Sequence, residues 1–313
     1  MFVSIAEAIE LLKTKKVVAV PSETVYGLAA SIAFDEAIER IFTLKGRPSK
    51  NPLIVHFASI KDVLEYVAID PLFTPELEKL WPGPLTIVAP LKKGISPLIT
   101  AGLDTLAVRI PRNPVFLELI RAVGPLAAPS ANRSGLPSAT RSWHIENDYD
   151  GQIPIIEADL PSIGLESTIL IQREKTFELG RLGATPIDSL KEFFPISSAT
   201  LESETPLCPG QLLKHYAPNC NLTTEWTPEV EAIVGFHDVT YTIDRPLYNL
   251  GTKNDPRMIA ERLFETLRLL DLDKIRLAFI DTNFPNHGLY KTLHERLSRA
   301  LRQKPTQIKG TYV

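Results

Sequence analysis

The hydrophobic and polar positions of residues 1–195 predict helices and strands in alternation. Ser4 followed by Glu7 has the spacing of a capping box, so a helix is predicted to begin there. The predicted helices run over 4–13, from Asp35 to a stop at Gly46, from Asp62 onward, and over 114–123. Short apolar runs predict strands over 17–21, 52–57, 86–91, 106–111, 125–130, 153–158, 167–172 and 177–183. This order is typical of an α/β domain with a twisted, mixed sheet.

A change of pattern near residue 195 divides the chain. Residues 196–221 hold many small polar residues and prolines with little periodicity, which predicts a linker or a long ordered loop. Beyond it, strands are predicted over 231–236, 245–250 and 276–281, with helices after Asp255-Pro256 and along Leu289, Leu293, Leu297 and Leu301. Residues 222–313 therefore predict a second, smaller α/β domain.

Composition narrows the classes of function. The 313 residues carry a net charge of −3, so no overall basic field attracts nucleic acid, and any anion site must be a local cluster. Cys208 and Cys220 have neither disulfide-scaffold nor zinc-ligand spacing, which favours a reducing compartment. The first residues lack the pattern of a signal peptide, and no apolar run is long enough to cross a bilayer. We therefore expect a cytoplasmic protein without membrane contact.

Positive charge is concentrated in LKGRPSKNPLIVH, residues 44–56. Pro48 and Pro52 hold this segment extended, so Lys45, Arg47 and Lys50 cannot share one helical face. Arginine and lysine together suit a polyphosphate, but a solvated charged loop would look the same. A histidine inside an apolar strand, such as the one at position 56, is by itself more typical of a core than of a ligand.

Polar side chains interrupt or follow several other strands. Arg109 lies within the apolar run LAVRIP, where a buried guanidinium needs an anionic partner, either a bound carboxylate or phosphate or an internal ion pair. Four further segments, SETVYGL, APSANRSGLPSAT, GLESTIL and GRLGAT, offer hydroxyl groups, amides or an arginine, although each alone could be an ordinary polar turn. The GxSxG, HExxH and GxGxxG motifs are absent. The set suggests an anion-binding cleft without a covalent nucleophile, as nucleotidyl transfer requires.

In this order, PSETVYGLA, LKGRPSKNPLIVH, WPGPLTIV, LAVRIPRNP, AAPSANRSG, LESTIL and GRLGAT resemble the Sua5/YrdC/YciO family. PGQLLKHYAP and the second α/β region resemble the longer Sua5 branch. The resemblance implies a YrdC-like catalytic domain over 1–195, a linker or lid over the active site at 196–221, and a Rossmann-like Sua5 domain over 222–313. It also implies condensation of L-threonine, bicarbonate and ATP, with Mg²⁺, into threonylcarbamoyl-AMP and pyrophosphate. A partner transferase would then modify tRNA next to the anticodon, with a weak contact between this protein and tRNA.

The same resemblance assigns roles to individual residues. Lys45, Arg47 and Arg109 would be catalytic. Those implied to bind threonine are Thr24, His56, Arg109 and Ser167. Those implied to bind ATP are Arg47, Lys50, Asn51, Thr105, Ser130, Asn132, Ser138, Arg181 and Tyr216. Two alternatives stay open: a non-catalytic RNA-binding maturation factor, and a carbamoyl-adenylate-forming enzyme with another acceptor.

Overall fold

The computed structural model describes residues 1–157, 163–199, 201–202, 204, 206–211 and 216–302. Ten helices lie within these ranges: α1 Ile5–Lys13, α2 Asp35–Lys45, α3 Ile60–Tyr66, α4 Thr74–Leu80, α5 Pro97–Thr100, α6 Pro114–Val123, α7 Ser142–Tyr149, α8 Ile187–Leu190, α9 Pro256–Leu272 and α10 Leu289–Leu301. The strands are β1 Val18–Val20, β2 Gly27–Ser31, β3 Ile54–His56, β4 Leu85–Pro90, β5 Thr105–Arg109, β6 Leu126–Ala127, β7 Thr168–Arg173, β8 Thr176–Arg181, β9 Ile196–Ala199, β10 Asn221–Thr223, β11 Ala232–Gly235, β12 Leu247–Asn249 and β13 Leu277–Ile280. No helix among the described residues has the length and apolarity needed to cross a membrane.

Nine strands form one mixed sheet in the order β1-β2-β6-β3-β5-β4-β7-β8-β9. Alternation along the strands decides which side chains meet on each face. Val55 and Val108 point into the main hydrophobic core. Their neighbours His56 and Arg109, which pair directly across β3 and β5, point to the opposite face. The sheet thus has one apolar face and one face that carries polar side chains.

The remaining four strands form a separate parallel sheet in the order β10-β13-β11-β12. Its apolar core is filled by α9 and α10 and also includes Val25 and Leu165 from the first part of the chain. The predicted mixed sheet followed by a smaller Rossmann-like sheet is confirmed.

Several details of the predicted elements were wrong. Residues 22–26 form a loop that leads directly into β2, which was not predicted. Because β2 pairs antiparallel with β1, SETVYG connects two neighbouring strands. Helix α3 is capped by Ser59 and begins before Asp62. The run at 153–157 forms only an isolated bridge at Ile155, and position 158 of that predicted strand lies outside the described residues. Helices α4, α5, α7 and α8 were not predicted.

The segment predicted to be a linker begins with regular structure. β9 pairs in parallel with β8 and so extends the large sheet as far as Ala199. Its sequence, ISSA, is too short and too polar for its periodicity to be recognised. Further along, β10 begins at Asn221. Residues 212–215, in the middle of the predicted lid, and 303–313, at the end of the predicted second domain, lie outside the described residues.

Candidate active site

A cleft lies over the polar face of the large sheet. Eight of the residues predicted for the site line it: Thr24, Arg47, His56, Arg109, Ser130, Ser167, Arg181 and Tyr216. Its floor comes from β3, β5, the end of β8 and the two residues before β7, and one wall comes from the segment that follows β6. Pro209 and Gly210 border it together with Tyr216, all within the predicted lid. Chain segments far apart in sequence therefore converge on one pocket.

Arg109 is 4% exposed and anchors one side of the cleft. Its Nη2 donates to Glu23 Oε1 at 2.6 Å, its Nη1 donates to Thr24 Oγ1 at 3.1 Å, and its Nε donates to the carbonyl oxygen of Gly83 at 3.1 Å. The second oxygen of Glu23, Oε2, is buried without a hydrogen-bond partner among the described residues. Burial alone would raise the pKa of Glu23, but Arg109 holds it below its ordinary value. The internal ion pair, one of the two sequence-based alternatives for Arg109, is therefore present, and Arg109 lies on the wall of the cleft.

His56 lies beside this pair and packs against Phe116, with ring centroids 4.8 Å apart and the rings tilted by 30°. Burial, together with the charge of Arg109, lowers the pKa of His56 well below its ordinary value, so the ring is neutral at pH 7. Its Nδ1 is buried and has no partner among the described residues. This side of the cleft therefore offers an uncharged ring nitrogen next to a hydroxyl and a carboxylate.

The other side of the cleft carries excess positive charge. Arg47 Nε and Nη2 donate to the carbonyl oxygens of Asn51 and Pro52 at 3.0 and 2.5 Å, and Arg181 donates to Ser167. Neither arginine forms an ion pair with a carboxylate in the described parts of the chain. Burial and the charge of Arg181 lower the pKa of Arg47. Arg47 is half-buried and Arg181 is buried, and Glu166, the carboxylate near Arg181, is already paired with Arg296. The two guanidinium groups therefore leave an excess of positive charge that favours an anionic ligand.

The turn that carries Arg47 is built by local sequence. Gly46 ends α2 at φ +60°, a conformation that residues other than glycine rarely adopt. Lys45, the last residue of α2, is buried and donates from Nζ to the carbonyl oxygen of Ser130 at 2.6 Å and also to that of Asn132. Lys45 therefore ties two walls of the cleft together from behind and does not line it.

Other predicted residues stand around the cleft or away from it. Asn51 is buried, and both polar atoms of its side chain have no partner among the described residues. Ser138 donates to Glu166, which lines the cleft. Lys50 is exposed, and Thr105 lies at the opposite end of β5 from Arg109, so the structure brings neither into the cleft.

Sequence analysis missed several residues of the site. Glu23 directly precedes Thr24, and Glu166 directly precedes Ser167. Each of these two carboxylates pairs with a buried arginine, Arg109 and Arg296 respectively. Both glutamates stand in the motifs SETVYG and LEST. The sequence of such a turn does not indicate which distant arginine its carboxylate pairs with. Arg296 lies on the predicted leucine helix, where only its position beside the apolar stripe could have drawn attention.

The fold and the cleft define an α/β protein with an arginine-lined cleft over one face of a mixed sheet. A family model described as "Telomere recombination", for the Sua5/YciO/YrdC proteins, matches residues 10–183. A second, described as "Threonylcarbamoyl-AMP synthase, C-terminal domain", matches residues 184–301. The chain therefore belongs to the Sua5/YrdC/YciO family, with the additional C-terminal domain of its longer members.

Similar proteins cover nearly the whole chain. Threonylcarbamoyl-AMP synthase of Bacillus subtilis (strain 168) is 35% identical over 95% of this chain and 92% of its own length. The protein of the same name from Pyrococcus abyssi is 36% identical over 92% of this chain and 91% of its own length. The crystal structure of Pyrococcus abyssi Sua5 complexed with L-threonine matches with a TM-score of 0.85 and 32% identity, covering 95% of this chain and 94% of that one.

Proposed function

We propose that this protein is a threonylcarbamoyl-AMP synthase, which condenses L-threonine, bicarbonate and ATP into threonylcarbamoyl-AMP and pyrophosphate. The observation that carries the proposal is the pair Arg47 and Arg181, two guanidinium groups that line one cleft. Glu166, the carboxylate near Arg181, is already paired with Arg296, so the pair leaves an excess of positive charge. A triphosphate supplies the charge that this pair lacks. The names of the Bacillus and Pyrococcus relatives support the same reaction.

Threonine belongs on the side of Arg109. The carboxylate of an amino acid needs a cation, and its hydroxyl needs a polar partner, which Arg109, Thr24, His56 and Ser167 provide within one pocket. The complex of the Pyrococcus relative with L-threonine supports threonine as a ligand of this family member. Because Arg109 already pairs with Glu23, threonine adds a second anion to a guanidinium that its neighbours hold in place.

The reaction needs little more from the protein than positioning. Threonine nitrogen takes up carbon dioxide derived from bicarbonate, with release of water, and gives a carbamate. A carbamate oxygen then attacks the α-phosphorus of ATP, and pyrophosphate leaves with the electron pair of the broken P–O bond. Arg47 and Arg181 stabilise charge on the phosphates during this exchange. Pro209, Gly210 and Tyr216 close over the cleft and exclude water from a mixed anhydride that water would hydrolyse.

Mg²⁺ would arrive with the triphosphate. The described residues contain no group of three or more His, Cys, Asp or Glu side chains that could hold a metal ion by themselves. Magnesium commonly keeps several waters and is bound through substrate phosphates with one or two carboxylates, and Glu166, which lines the cleft near Arg181, would be the carboxylate on that side. The ion would neutralise phosphate charge. A cytoplasmic location and hand-over of the product to a tRNA-modifying transferase, with weak contact to tRNA, belong to the same proposal.

The test is pyrophosphate release from ATP and magnesium, with threonine and bicarbonate each omitted in turn and the adduct followed by mass spectrometry. We expect release only when both are present, together with threonylcarbamoyl-AMP. Release that needs bicarbonate but not threonine would indicate another acceptor. Tight, salt-dependent binding of tRNA without any ATP turnover would favour an RNA-binding factor instead.

A further inference from the structure

Helix α10, in the C-terminal part of the chain, reaches the cleft through one polar face. Thr292, Arg296 and Arg299 follow at intervals of four and three residues, so they lie on the same side of the helix, and all are buried. Thr292 Oγ1 donates to the carbonyl oxygen of Gly183 at 2.9 Å. Arg299 Nη1 donates to the carbonyl oxygen of Gly210 at 2.6 Å. This face therefore touches two segments that border the cleft.

Arg296 is at the centre of this face and is 1% exposed. Its Nε donates to Glu166 Oε2 at 3.1 Å, and its Nη2 donates to the carbonyl oxygen of Leu182 at 2.7 Å. Its guanidinium carbon lies 4.5 Å from the ring centroid of Tyr216, a cation–π distance. Arg296 also pairs with Glu295 on its own helix. One side chain thus holds two residues of the cleft wall, Glu166 and Tyr216, without lining the cleft itself.

Glu166 extends this contact to the nucleotide side. Its second oxygen, Oε1, accepts a hydrogen bond from Ser138, so a continuous path runs from Arg296 through Glu166 to Ser138. Threonine's side of the cleft is held differently, because Arg109 is fixed by Glu23, Thr24 and Gly83. Among the described residues, Arg296 contacts neither Arg109 nor these three partners. Loss of Arg296 should therefore disturb the two halves of the cleft unequally.

We infer that Arg296 is a positioning residue for the nucleotide, through which the C-terminal domain holds Glu166, Ser138 and Tyr216 in place for the reaction. The inference rests on the proposed function and deepens it. Helix α10 would then do more than dock the C-terminal part of the chain onto the first part. Docking itself is also supported by other ion pairs between the two parts. Lys291 and Asp188, 3.0 Å apart, form such a pair, and neither residue lines the cleft.

The experiment compares Arg296→Met with Lys291→Met in the full chain. Pyrophosphate release gives kcat and KM for ATP and for threonine. For Arg296→Met we expect kcat/KM for ATP to fall about 10- to 100-fold, the effect of a misplacement of about 1 Å, with the threonine KM changed less than about threefold. Lys291→Met should leave both unchanged. Equal changes in the KM for ATP and the KM for threonine would show that Arg296 only docks the two parts of the chain. The same loss of kcat/KM for ATP in both variants would show this too.

A double-variant cycle tests the path through Glu166. Glu166→Gln keeps the shape of the side chain and removes its charge. If Arg296 acts through Glu166, the double variant should lose no more ATP turnover than the worse single variant. Losses that multiply would show two independent effects and overturn the inference.

Arg296→Lys decides the matter if Arg296→Met does not fold. Lysine keeps the charge but cannot donate simultaneously to Glu166 and Leu182 in fork geometry, so we expect a folded protein with a severalfold higher KM for ATP. Unchanged ATP constants in that variant would contradict the inference. If the wild type forms no adduct, the proposed function fails, and calorimetry with a non-hydrolysable ATP analogue still tests positioning. If the wild type and Arg296→Lys then bind the analogue with equal affinity, the inference that Arg296 positions the nucleotide is overturned.

Discussion

At the scale of single residues, each side of the cleft depends on one arginine with a different kind of partner. Arg109 is paired with the carboxylate of Glu23, while Arg47 donates to backbone carbonyl oxygens and has no carboxylate partner in the described part of the chain. A paired guanidinium binds a further anion through geometry, and an unpaired one binds it mainly through charge. The two arginines should therefore respond differently to substitution.

Arg109→Lys tests the geometric role. Lysine preserves a charge for Glu23, whereas alanine would leave a buried carboxylate unpaired at a cost of about 3–5 kcal/mol. Loss of the fork should raise the KM for threonine about tenfold or more, because a hydrogen bond to a charged group is worth about 1.5–3 kcal/mol, and should leave the KM for ATP within about threefold. Arg112→Lys, at an exposed position, is the control. Equal increases in both KM values would contradict the assigned role.

Arg47→Met tests the charge. The substitution removes a cation from the phosphate side, so the KM for ATP should rise about tenfold or more, with little change in that for threonine. Lys50→Met removes the same charge from the same loop at an exposed position and should have almost no effect, as measured by initial rates of pyrophosphate release. Comparable effects of the two substitutions would mean that the loop attracts ATP only through its overall charge.

At the scale of elements, the cleft depends on close approach between the segments that flank β7 and β8. Ala184 N donates to the carbonyl oxygen of Glu166 at 2.8 Å, and Thr168 Oγ1 donates to that of Thr185 at 2.6 Å. Only a residue without Cβ fits between them. A Cβ on Gly183 would lie 2.4 Å from the backbone of Ser167 and Thr168.

Gly183→Ala should therefore push these segments apart. We expect a lower melting temperature and a loss of ATP turnover, because Ser167 and Glu166 shift with the backbone. Gly94→Ala, at a position where a Cβ meets nothing within 4 Å, provides the matched control and should change neither. Wild-type melting and turnover in Gly183→Ala would show that the approach is looser than described.

At the scale of the whole molecule, buried ion pairs join the two parts of the chain. Arg268 pairs with Asp148 at 2.8 Å, and Arg296 pairs with Glu166 at 3.1 Å, all four side chains being less than 10% exposed. Burial alone would raise the pKa of Glu166, but Arg296, Arg181 and the Ser138 hydroxyl together lower it. Protonation of Glu166 is therefore opposed by folding.

This coupling predicts how stability depends on pH. Because the pKa of Glu166 is lower in the folded protein than in the unfolded chain, its stabilisation is fully present above the ordinary value of 4.5 and is lost as pH falls through the folded pKa. Urea unfolding at about pH 7 and about pH 3.5 should show a smaller fall in Glu166→Gln than in the wild type, although that variant starts less stable. Equal falls would show that other carboxylates account for the acid sensitivity.

The sequence predicted elements best where a local rule governs them. The capping box at Ser4, the glycine stop at Gly46 and the proline start of α9 after Asp255 are each confirmed, because each depends on neighbours within four residues. Predictions failed where a strand is short or formed by pairing with a distant partner. β2 and β9 are examples, since their residues carry no alternation of their own.

The sequence by itself determined the class of fold and the kinds of side chain around the cleft, because apolar periodicity and clustered arginines, hydroxyls and amides are properties of the chain. Tertiary structure alone decided their arrangement. It excluded Lys50 and Thr105 from the cleft, turned Lys45 toward the carbonyl oxygens behind it, and brought Arg296 to Glu166 across 130 positions. The physical reason is that a buried charge must find a partner, and which partner lies within reach depends on how distant segments pack.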